Sequence, residues 1–291
     1  MSEKKRVLVV DDSVFARKIV SDILDSSSEL TVVGTANDGL DALAKMESLK
    51  PDVITMDVEM PKLDGIEALR QIMATRPTPV VMVSSLTQEG AKESMLALKY
   101  GAVDIVAKPH GTHSIGLSAQ TNELIAKVTA AAGVNVARLS PLAAKTLQQP
   151  KPAAVAHQRN DFPVVMIASS TGGPRALRML LPALSEINTA AYVIIQHLPV
   201  GLSKTIADDL DTITSLKVSE ASPSTKSLQP GEVLFAKSGY HLVFNSDRSA
   251  ALSVAPPLWG VRPSADVSMV SAAPVYGSRL IGVVLTGMGH D

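Results

Sequence analysis

The chain has 291 residues, of which 46% are hydrophobic and 19% charged, a composition typical of a globular protein long enough for two domains. The net charge is −1 and there are no cysteines. Disulfides, thiolate metal sites and a cysteine nucleophile are thereby excluded, and neither nucleic acid nor an anionic membrane is expected as a partner. The first apolar run is too short for a signal peptide, and no later run approaches the ~20 residues of a membrane span. We therefore expect a cytoplasmic protein without membrane insertion.

Residues from about 5 to 131 alternate strand and helix patterns. Short apolar runs rich in β-branched residues predict buried strands of a parallel sheet at Arg6–Val10, Asp52–Met56, Pro79–Val83 and Ala102–Ala107. Turn-forming residues directly precede helical patterns, as at Asn37–Gly39. Five strands alternating with five helices predict a doubly wound three-layer sandwich.

The periodicity stops after this region. Residues 133–160 are rich in proline, alanine and glutamine without a helical or strand repeat, which predicts an interdomain linker. The predicted organisation is a first domain at 1–132, this linker, and a second domain at 161–291.

A second α/β pattern begins near residue 162. Its predicted strands are 163–168, 191–196, 232–236, 240–246, 249–254 and 280–285. Leucines at helical spacing behind the first of these strands predict an amphipathic helix that begins near Pro174.

Polar side chains follow the predicted strands of the first domain. Asp11 and Asp12 follow the run that ends at Val10, and Asp57 follows the run that ends at Met56. Ser84 follows the run that ends at Val83, and Lys108 follows the run that ends at Ala107. In open α/β sheets the ligand crevice lies outside the carboxyl ends of the strands, so these groups are expected to converge. Three carboxylates repel one another unless a cation joins them, and their hard oxygens suit Mg²⁺. The pattern predicts a site where Lys108 pairs with a phosphoryl group received by a carboxylate.

In the second domain a glycine-rich turn follows the first predicted strand. Ser169 and Ser170 stand before Thr171-Gly-Gly173, where backbone N–H groups and a helix N-terminus approach a substrate oxygen. Taken alone, this motif more often is a turn capped by Ser or Thr, and spacing leaves the two serines as alternative nucleophiles.

His197 ends the neighbouring predicted strand and Asp291 follows the last one. Both are expected on the same sheet edge as Ser170, with His197 as general base and Asp291 orienting the imidazole. Serine, histidine and aspartate after three different strands favour an acyl-transfer site. The alternative for a lone histidine is a structural role at a strand end.

The first domain resembles the receiver domain of two-component response regulators. The matching residues are Asp11-Asp12, Asp57 within Met56-Asp-Val-Glu-Met-Pro61, Asp64-Gly65, Ser84 and Lys108-Pro109. The resemblance implies a flavodoxin-like fold, phosphorylation at Asp57 by a histidine kinase, Mg²⁺ on Asp11, Asp12 and Asp57, and phosphoryl contacts from Ser84 and Lys108.

The second domain is similar to the effector domain of bacterial chemotaxis protein-glutamate methylesterases. The matching motifs are Ser170-Thr-Gly-Gly173, Gln196-His-Leu-Pro199, Arg262-Pro-Ser-Ala-Asp266 and Leu285-Thr-Gly-Met-Gly289 followed by Asp291. The resemblance implies a Rossmann-like three-layer domain with Ser170 as nucleophile, His197 as base, Asp291 as the acid, and Thr171 and Met288 near the substrate oxygen. The implied reaction is demethylation of glutamate methyl esters, with deamidation of glutamines, on methylated chemoreceptors. The implied ester hydrolysis needs no cofactor. The sequence leaves the oligomeric state open, with a monomer as the default expectation.

The chain departs from that family in several loops. It has Ala168-Ser169 where glycine and alanine are usual, Lys237-Ser238 in place of Pro-Gly, and Trp259-Gly260-Val261 ahead of Arg262. In the receiver, Ile105 replaces a frequent aromatic residue. These changes bear on substrate preference and signalling more than on the chemistry. Because the family continues past the triad acid, the chain is also interpreted as a fragment in which Asp291 is mobile and activity is reduced or absent.

Two function classes compete at this point. The leading hypothesis is a phosphorylation-gated serine hydrolase in chemotaxis adaptation. The rival is a phospho-dependent interaction module that binds a receptor or kinase without turnover. A DNA-binding regulator is disfavoured because no helix-turn-helix pattern with a basic recognition helix follows the linker.

Overall fold

The protein is described from a computed structural model covering residues 3–85, 88–109, 117–136, 162–185, 187–225 and 227–291, so most of the predicted linker lies outside the described residues. The chain divides into two compact units, Met1–Leu142 and Ala143–Asp291.

The first unit alternates strands and helices, as the sequence predicts. Its elements are β1 (Lys5–Val10), α1 (Val14–Asp25), β2 (Leu30–Ala36), α2 (Gly39–Leu49), β3 (Val53–Asp57), α3 (Gly65–Thr75), β4 (Val80–Ser84), α4 (Gln88–Tyr100), β5 (Asp104–Ala107) and α5 (Leu117–Ala132). The strands form one parallel sheet in the order β2-β1-β3-β4-β5. The predicted doubly wound architecture is confirmed.

Burial explains why these strands carry unbroken apolar runs. Every residue of β3 and β4 is buried, since helices cover both faces of a parallel sheet. On one side α1 contacts α5, whereas α2, α3 and α4 contact one another in turn. The apolar stripes of α1 and α5 place Val20, Leu24, Leu124 and Val128 in the core.

The second unit is a second α/β sandwich. Its elements are β6 (Val164–Ser169), α6 (Gly173–Leu184), β7 (Ala191–Gln196), α7 (Ser203–Ile213), β8 (Lys217–Glu220), β9 (Glu232–Phe235), β10 (His241–Phe244), β11 (Ala250–Ser253), α8 (Ala265–Tyr276), a 3₁₀ turn (Gly277–Arg279) and β12 (Leu280–Val284). Five strands form a parallel sheet in the order β12-β6-β7-β9-β8.

Two features of this unit differ from what the strand pattern of the sequence predicts. β10 and β11 form a separate antiparallel hairpin and take no part in the parallel sheet. β8 is a sheet edge that the sequence patterns do not predict, because it is short and polar and buries little.

The core of the second unit joins these parts. Alternate residues of β6 and β7 pack with the hairpin and α8, where the rings of Phe244 and Tyr276 meet edge to face at 5.7 Å. Leu177 of α6 and Leu210 of α7 are fully buried, and these two helices contact each other. Among the described residues, no helix combines the length and apolar character needed to cross a bilayer.

Candidate functional site

The carboxyl edge of the first sheet collects the polar groups that follow its strands. Lys108 Nζ lies 2.6 Å from Asp57 Oδ2 and 3.0 Å from Asp11 Oδ2. Asp57 Oδ1 accepts the Val58 N–H at 2.7 Å. Ser84 ends β4 and is buried, with its hydroxyl donating to the carbonyl oxygen of Ser85 at 3.2 Å. The sheet therefore brings together a buried aspartate, a cation and a hydroxyl from three strands.

The loop after β3 is held tightly against Asp57. The Gly65 N–H donates to the carbonyl oxygen of Val58. A Cβ placed on Gly65 would lie 1.9 Å from the carbonyl oxygen of Asp57, so only glycine fits here. Lys62 also pairs with the buried Asp38 at 2.6 Å. These contacts fix the backbone that carries the candidate phosphate acceptor.

Asp11, Asp12 and Asp57 form a cluster that could hold a metal ion. One carboxylate oxygen of each lies within 4.8 Å of the others. Asp12 is exposed, whereas Asp11 and Asp57 are buried, so the cluster opens to solvent on one side. All three ligands are hard oxygens and leave room for water ligands, a donor set that suits Mg²⁺. The residues present therefore fit the cation that the sequence predicts.

An open cavity of about 1020 Å³ lies beside this cluster. Asp12, Asp57 and Lys108 line one part of it, and Arg70 and Tyr100 line another. The Arg70 guanidinium lies 5.4 Å from the centre of the Tyr100 ring. The cluster therefore faces an open cavity.

Burial raises the pKa of Asp57 to about 6, although the hydrogen bond and charge of Lys108 pull the pKa down; the nearby Asp11 adds to the rise. The pKa of Lys108 also lies above its ordinary value, because Asp57 and Asp11 outweigh the cost of burying the ammonium group. Lys108 is therefore a cation at neutral pH, and Asp57 is an ionised carboxylate that the fold holds at a cost.

We expect Asp57→Asn to stabilise the first unit at neutral pH in the absence of divalent metal. A rise in pKa from 3.8 to about 6 corresponds to about 3 kcal/mol in a dry site. Solvent at the open edge reduces this to about 1–2 kcal/mol. Because the folded state binds the proton more tightly, wild-type stability falls as pH rises from about 4 to 6 and stays low above that range.

Hydrogen exchange of the β1 and β3 amides in EDTA, between pH 4 and pH 8, measures this effect. The advantage of the Asp57→Asn variant is expected to grow between about pH 4 and pH 6 and to be complete above pH 6. Asp12→Asn is the matched control, since that carboxylate belongs to the same cluster but is exposed. If Asp57→Asn were no more stable than the wild type at pH 8, the ionised Asp57 carboxylate would not destabilise the fold as we expect.

The second sheet places three loop starts side by side. β12, β6 and β7 are consecutive neighbours, and Thr286, Ser170 and His197 follow them closely. The Ser170 N–H donates to the carbonyl oxygen of Thr286 at 2.9 Å, and the His197 N–H donates to that of Ser169 at 3.1 Å. Ser170 and His197 thus continue the ladder in which Ser169 is paired with Gln196.

The turn that carries Ser170 is closely packed. Gly172 has a φ of 77°, which favours glycine, and α6 begins directly after it. A Cβ on Gly287 would lie 2.6 Å from the Ser170 Cβ. Ser170 is only 8% exposed, so its hydroxyl is more enclosed than the sequence motif suggests. The Thr171 hydroxyl is buried and has no hydrogen-bond partner among the described residues.

A buried glutamine links the serine turn to the histidine. Gln196 Nε2 donates to the carbonyl oxygen of Ser170 at 2.9 Å and to that of His197 at 3.0 Å. Its Oε1 accepts the Ser169 hydroxyl at 2.6 Å. The two adjacent serines therefore differ in their surroundings, since the Ser169 hydroxyl is engaged within the core. This difference favours Ser170 as the nucleophile.

His197 and Asp291 are within hydrogen-bond distance. His197 Nε2 lies 3.2 Å from Asp291 Oδ2, which also accepts the Ala265 N–H at 2.6 Å. Burial raises the pKa of Asp291, but His197 and the Ala265 N–H outweigh it and hold the pKa below its ordinary value. An ionised Asp291 is an acceptor for an N–H on Nε2 of His197, the contact that orients the imidazole in such pairs.

Sequence reasoning missed the group that holds Asp291. Ala265 is the first residue of α8, and Ser264 caps this helix with its hydroxyl. A helix N-terminus stabilises a carboxylate, so α8 supports the charge of Asp291. The signal was present in Arg262-Pro-Ser-Ala-Asp266, which combines an N-cap serine with an acidic first turn. His241 lies buried beneath it and accepts the Ser264 N–H at Nδ1.

Met288 lies in the loop after β12 and is 37% exposed. The structure thus places Ser170, Thr171, His197, Asp291 and Met288 in loops at the carboxyl edge of the second sheet, in neighbouring positions. Among the described residues, the hydrogen bond within this group is the one between His197 and Asp291, and none joins the Ser170 hydroxyl to His197. A hydroxyl, an imidazole and a carboxylate are the groups that nucleophilic acyl transfer uses.

Comparisons with known proteins match both units. A family model described as the response regulator receiver domain matches residues 7–119, and one described as CheB methylesterase matches residues 165–291. Among solved structures, the response regulator domain of Thermotoga maritima CheB is 53% identical and covers 46% of this chain and 99% of its own, with a TM-score of 0.42. The CheB methylesterase catalytic domain of that organism is 37% identical and covers 45% and 70%, also with a TM-score of 0.42.

Curated relatives match across nearly the whole chain. A protein-glutamate methylesterase/protein-glutamine glutaminase of Symbiobacterium thermophilum is 45% identical over 300 residues, covering 98% of this chain and 82% of the relative. The protein of the same description from Thermotoga maritima is 44% identical over 291 residues with the same coverage. The relative from Pyrococcus horikoshii is 40% identical and covers 100% and 80%. The chain therefore belongs to the protein-glutamate methylesterase/protein-glutamine glutaminase family, with a receiver domain followed by a CheB methylesterase domain.

Proposed function

We propose that this protein is a phosphorylation-activated serine hydrolase that demethylates glutamate methyl esters on chemoreceptor cytoplasmic domains and deamidates glutamines there. The domains we assign are a receiver at 1–132, a linker at 133–160 and a methylesterase domain at 161–291. The observation that carries the proposal is the His197–Asp291 pair beside the Ser170 turn, on consecutive strands of one sheet.

In the proposed acylation step, Ser170 Oγ attacks the ester carbonyl while His197 Nδ1 takes the hydroxyl proton. Nδ1 acts as the base because Nε2 is engaged with Asp291. The bond from the carbonyl carbon to the methoxy oxygen breaks, and the imidazolium returns the proton so that methanol leaves. Water then attacks the acyl-enzyme by the same route and releases the glutamate.

We assign oxyanion stabilisation to the turn at the start of α6. The N–H groups of Ser170 and Gly173 already donate to backbone carbonyls. The Thr171 hydroxyl, which has no partner among the described residues, and the N–H groups next to it are therefore the donors we assign. The loop that contains Met288 borders the same edge of the sheet. Donors held rigidly toward a developing charge are the largest single contribution in many such enzymes.

The proposed regulation begins at Asp57, which we assign as the residue phosphorylated by a histidine kinase. Asp11, Asp12 and Asp57 would hold Mg²⁺, which when bound neutralises charge on the incoming phosphoryl group. Lys108, already 2.6 Å from Asp57, would pair with that group, and Ser84 lies on the adjacent strand to follow it. Phosphorylation adds about two negative charges and acceptor oxygens, which shifts this edge between two arrangements.

Methanol release from methylated receptor membranes, with and without acetyl phosphate, tests the proposal. We expect release that acetyl phosphate increases in the presence of Mg²⁺ and not in EDTA. Receptor binding without methanol release would contradict hydrolase activity and favour an interaction module.

A further inference from the structure

The loop between β11 and α8 presents an apolar tip that the proposed chemistry does not use. The tip consists of Val254, Leu258 and Trp259, which are 72%, 37% and 68% exposed. Leu258 and Val261 form an antiparallel bridge, so Trp259 and Gly260 are the two central residues of a tight hairpin turn. We call Val254, Leu258 and Trp259 the tryptophan tip.

The backbone at the tip makes tryptophan an unfavourable choice for the turn alone. Trp259 has a φ of 53° and Gly260 a φ of 80°, both in the left-handed region. Turns of this kind favour asparagine, aspartate or glycine at both central positions, whereas a bulky side chain is disfavoured there. A large apolar residue held at such a position and exposed to solvent points to a function outside the fold.

The tryptophan tip is connected to the triad carboxylate through short contacts. His241 Nε2 bonds the carbonyl oxygen of Pro256 at 3.1 Å, and its Nδ1 accepts the Ser264 N–H at 3.2 Å. The next residue, Ala265, donates to Asp291. Arg262 Nη1 fixes the other side of the loop by donating to the carbonyl oxygens of Val254 and Ala255, at 2.9 Å each. The tip therefore belongs to the same hydrogen-bonded loop that holds Asp291.

We propose that the tryptophan tip docks on apolar side chains of the protein substrate that flank the esterified glutamate. This inference rests on the proposed function and deepens it, because it names how a macromolecular substrate is engaged. The relatives of this chain are named for action on glutamates of proteins, so the substrate carries further side chains next to the reacting group. Tryptophan is among the residues most enriched at energetically important protein contacts. The tip supplies binding and no chemistry.

The chain contains one tryptophan, so its fluorescence reports on this tip alone. We would add a soluble, methylated receptor cytoplasmic fragment to the full chain carrying Ser170→Ala, which prevents turnover. The expected result is a blue shift of the emission and reduced quenching by iodide, saturating with fragment concentration. Unchanged emission at a concentration of fragment that binds the chain would overturn the proposal.

Two other partners of the tryptophan tip would give different fluorescence results. An equal shift with lipid vesicles that lack receptor would mean that the tip contacts membrane. A shift produced by acetyl phosphate alone would mean that the first unit of the same chain covers the tip. Either result overturns docking on the substrate.

A kinetic test uses Trp259→Gly, which removes the side chain and suits the left-handed turn. The KM for the methylated fragment is expected to rise by about tenfold with kcat little changed, while thermal stability is unchanged or higher. Trp259→Phe should restore most of the affinity. Turnover of a short peptide carrying a glutamyl methyl ester should not change, which separates failure of this inference from failure of the esterase itself. Ile187→Ala is the control, since Ile187 is 50% exposed before β7 at the opposite edge of the sheet.

Discussion

Replacing Ser170 with alanine is expected to lower methanol release from methylated receptors by about 10⁴-fold or more, because the variant lacks the hydroxyl that we assign as the nucleophile of the acyl-enzyme. Members of a triad act as a unit, so the loss should be as large as that of His197→Ala. Binding of the receptor fragment should persist, since Ser170 makes no part of the tryptophan tip. Mass spectrometry of the wild-type chain, quenched during turnover, should find the acyl group on the peptide that contains Ser170.

Ser169→Ala is the matched control for this experiment. It removes a hydroxyl from the adjacent position, where the structure shows a bond to Gln196 Oε1. Loss of that hydrogen bond is worth about 1 kcal/mol, so we expect a decrease of less than about tenfold. If Ser169→Ala abolished release and Ser170→Ala did not, the nucleophile would be the other serine.

Asp57→Asn is expected to remove stimulation by acetyl phosphate and leave the unstimulated rate in place. Coupling free energies between regulatory and active sites are typically about 1–3 kcal/mol, so a stimulation of roughly 5–150-fold should disappear. Intact-mass measurement should find one phosphoryl group on the wild-type chain and none on the variant. Since the same substitution is expected to stabilise the first unit, loss of stimulation could not be attributed to unfolding.

Asp22→Asn is the control for the regulatory experiment. Asp22 is an exposed carboxylate near the C-terminal end of α1, where it pairs with Lys18. Stimulation of this variant should equal that of the wild type. Stimulation that persisted in Asp57→Asn would locate the phosphate acceptor elsewhere, with Asp12 the first alternative to examine.

The sequence predicted the fold of the first unit well, because four of its five strands lie in short, mainly apolar runs and its helices carry apolar stripes. The remaining strand, β2, includes Thr31, Gly34 and Thr35 and is less buried. The same rule indicated the sheet edge where Asp57, Lys108 and Ser84 meet. It was less informative in the second unit, where β8 is short and polar and is recognised as a strand only from its pairing with β9. Strand pattern alone also could not separate the β10–β11 hairpin from the parallel sheet.

The candidate triad was also predictable from the sequence only in part. The positions of Ser170, His197 and Asp291 at one edge of the sheet were predictable because each follows a strand, and position after a strand is a local property of the sequence. Their supports were not, because Gln196 and the α8 N-terminus act through contacts between segments far apart in the chain. The buried partner of Ser169, which favours Ser170 in our assignment of the nucleophile, is likewise a contact that only the structure shows. A hydrogen bond between distant segments leaves no periodic pattern in the sequence.

The main-chain bonds of Ser170 and His197 have a consequence for how this enzyme can vary in evolution. Both residues are held as rungs of the β12-β6-β7 ladder, through Thr286 and Ser169. Loss or gain of a single residue in β6 or β7 would move one partner by about 3.3 Å and turn its side chain to the other face of the sheet. No adjustment in a neighbouring loop can repair that shift. Active relatives should therefore differ in length outside these strands, and chimaeras should be joined within the loops that precede them.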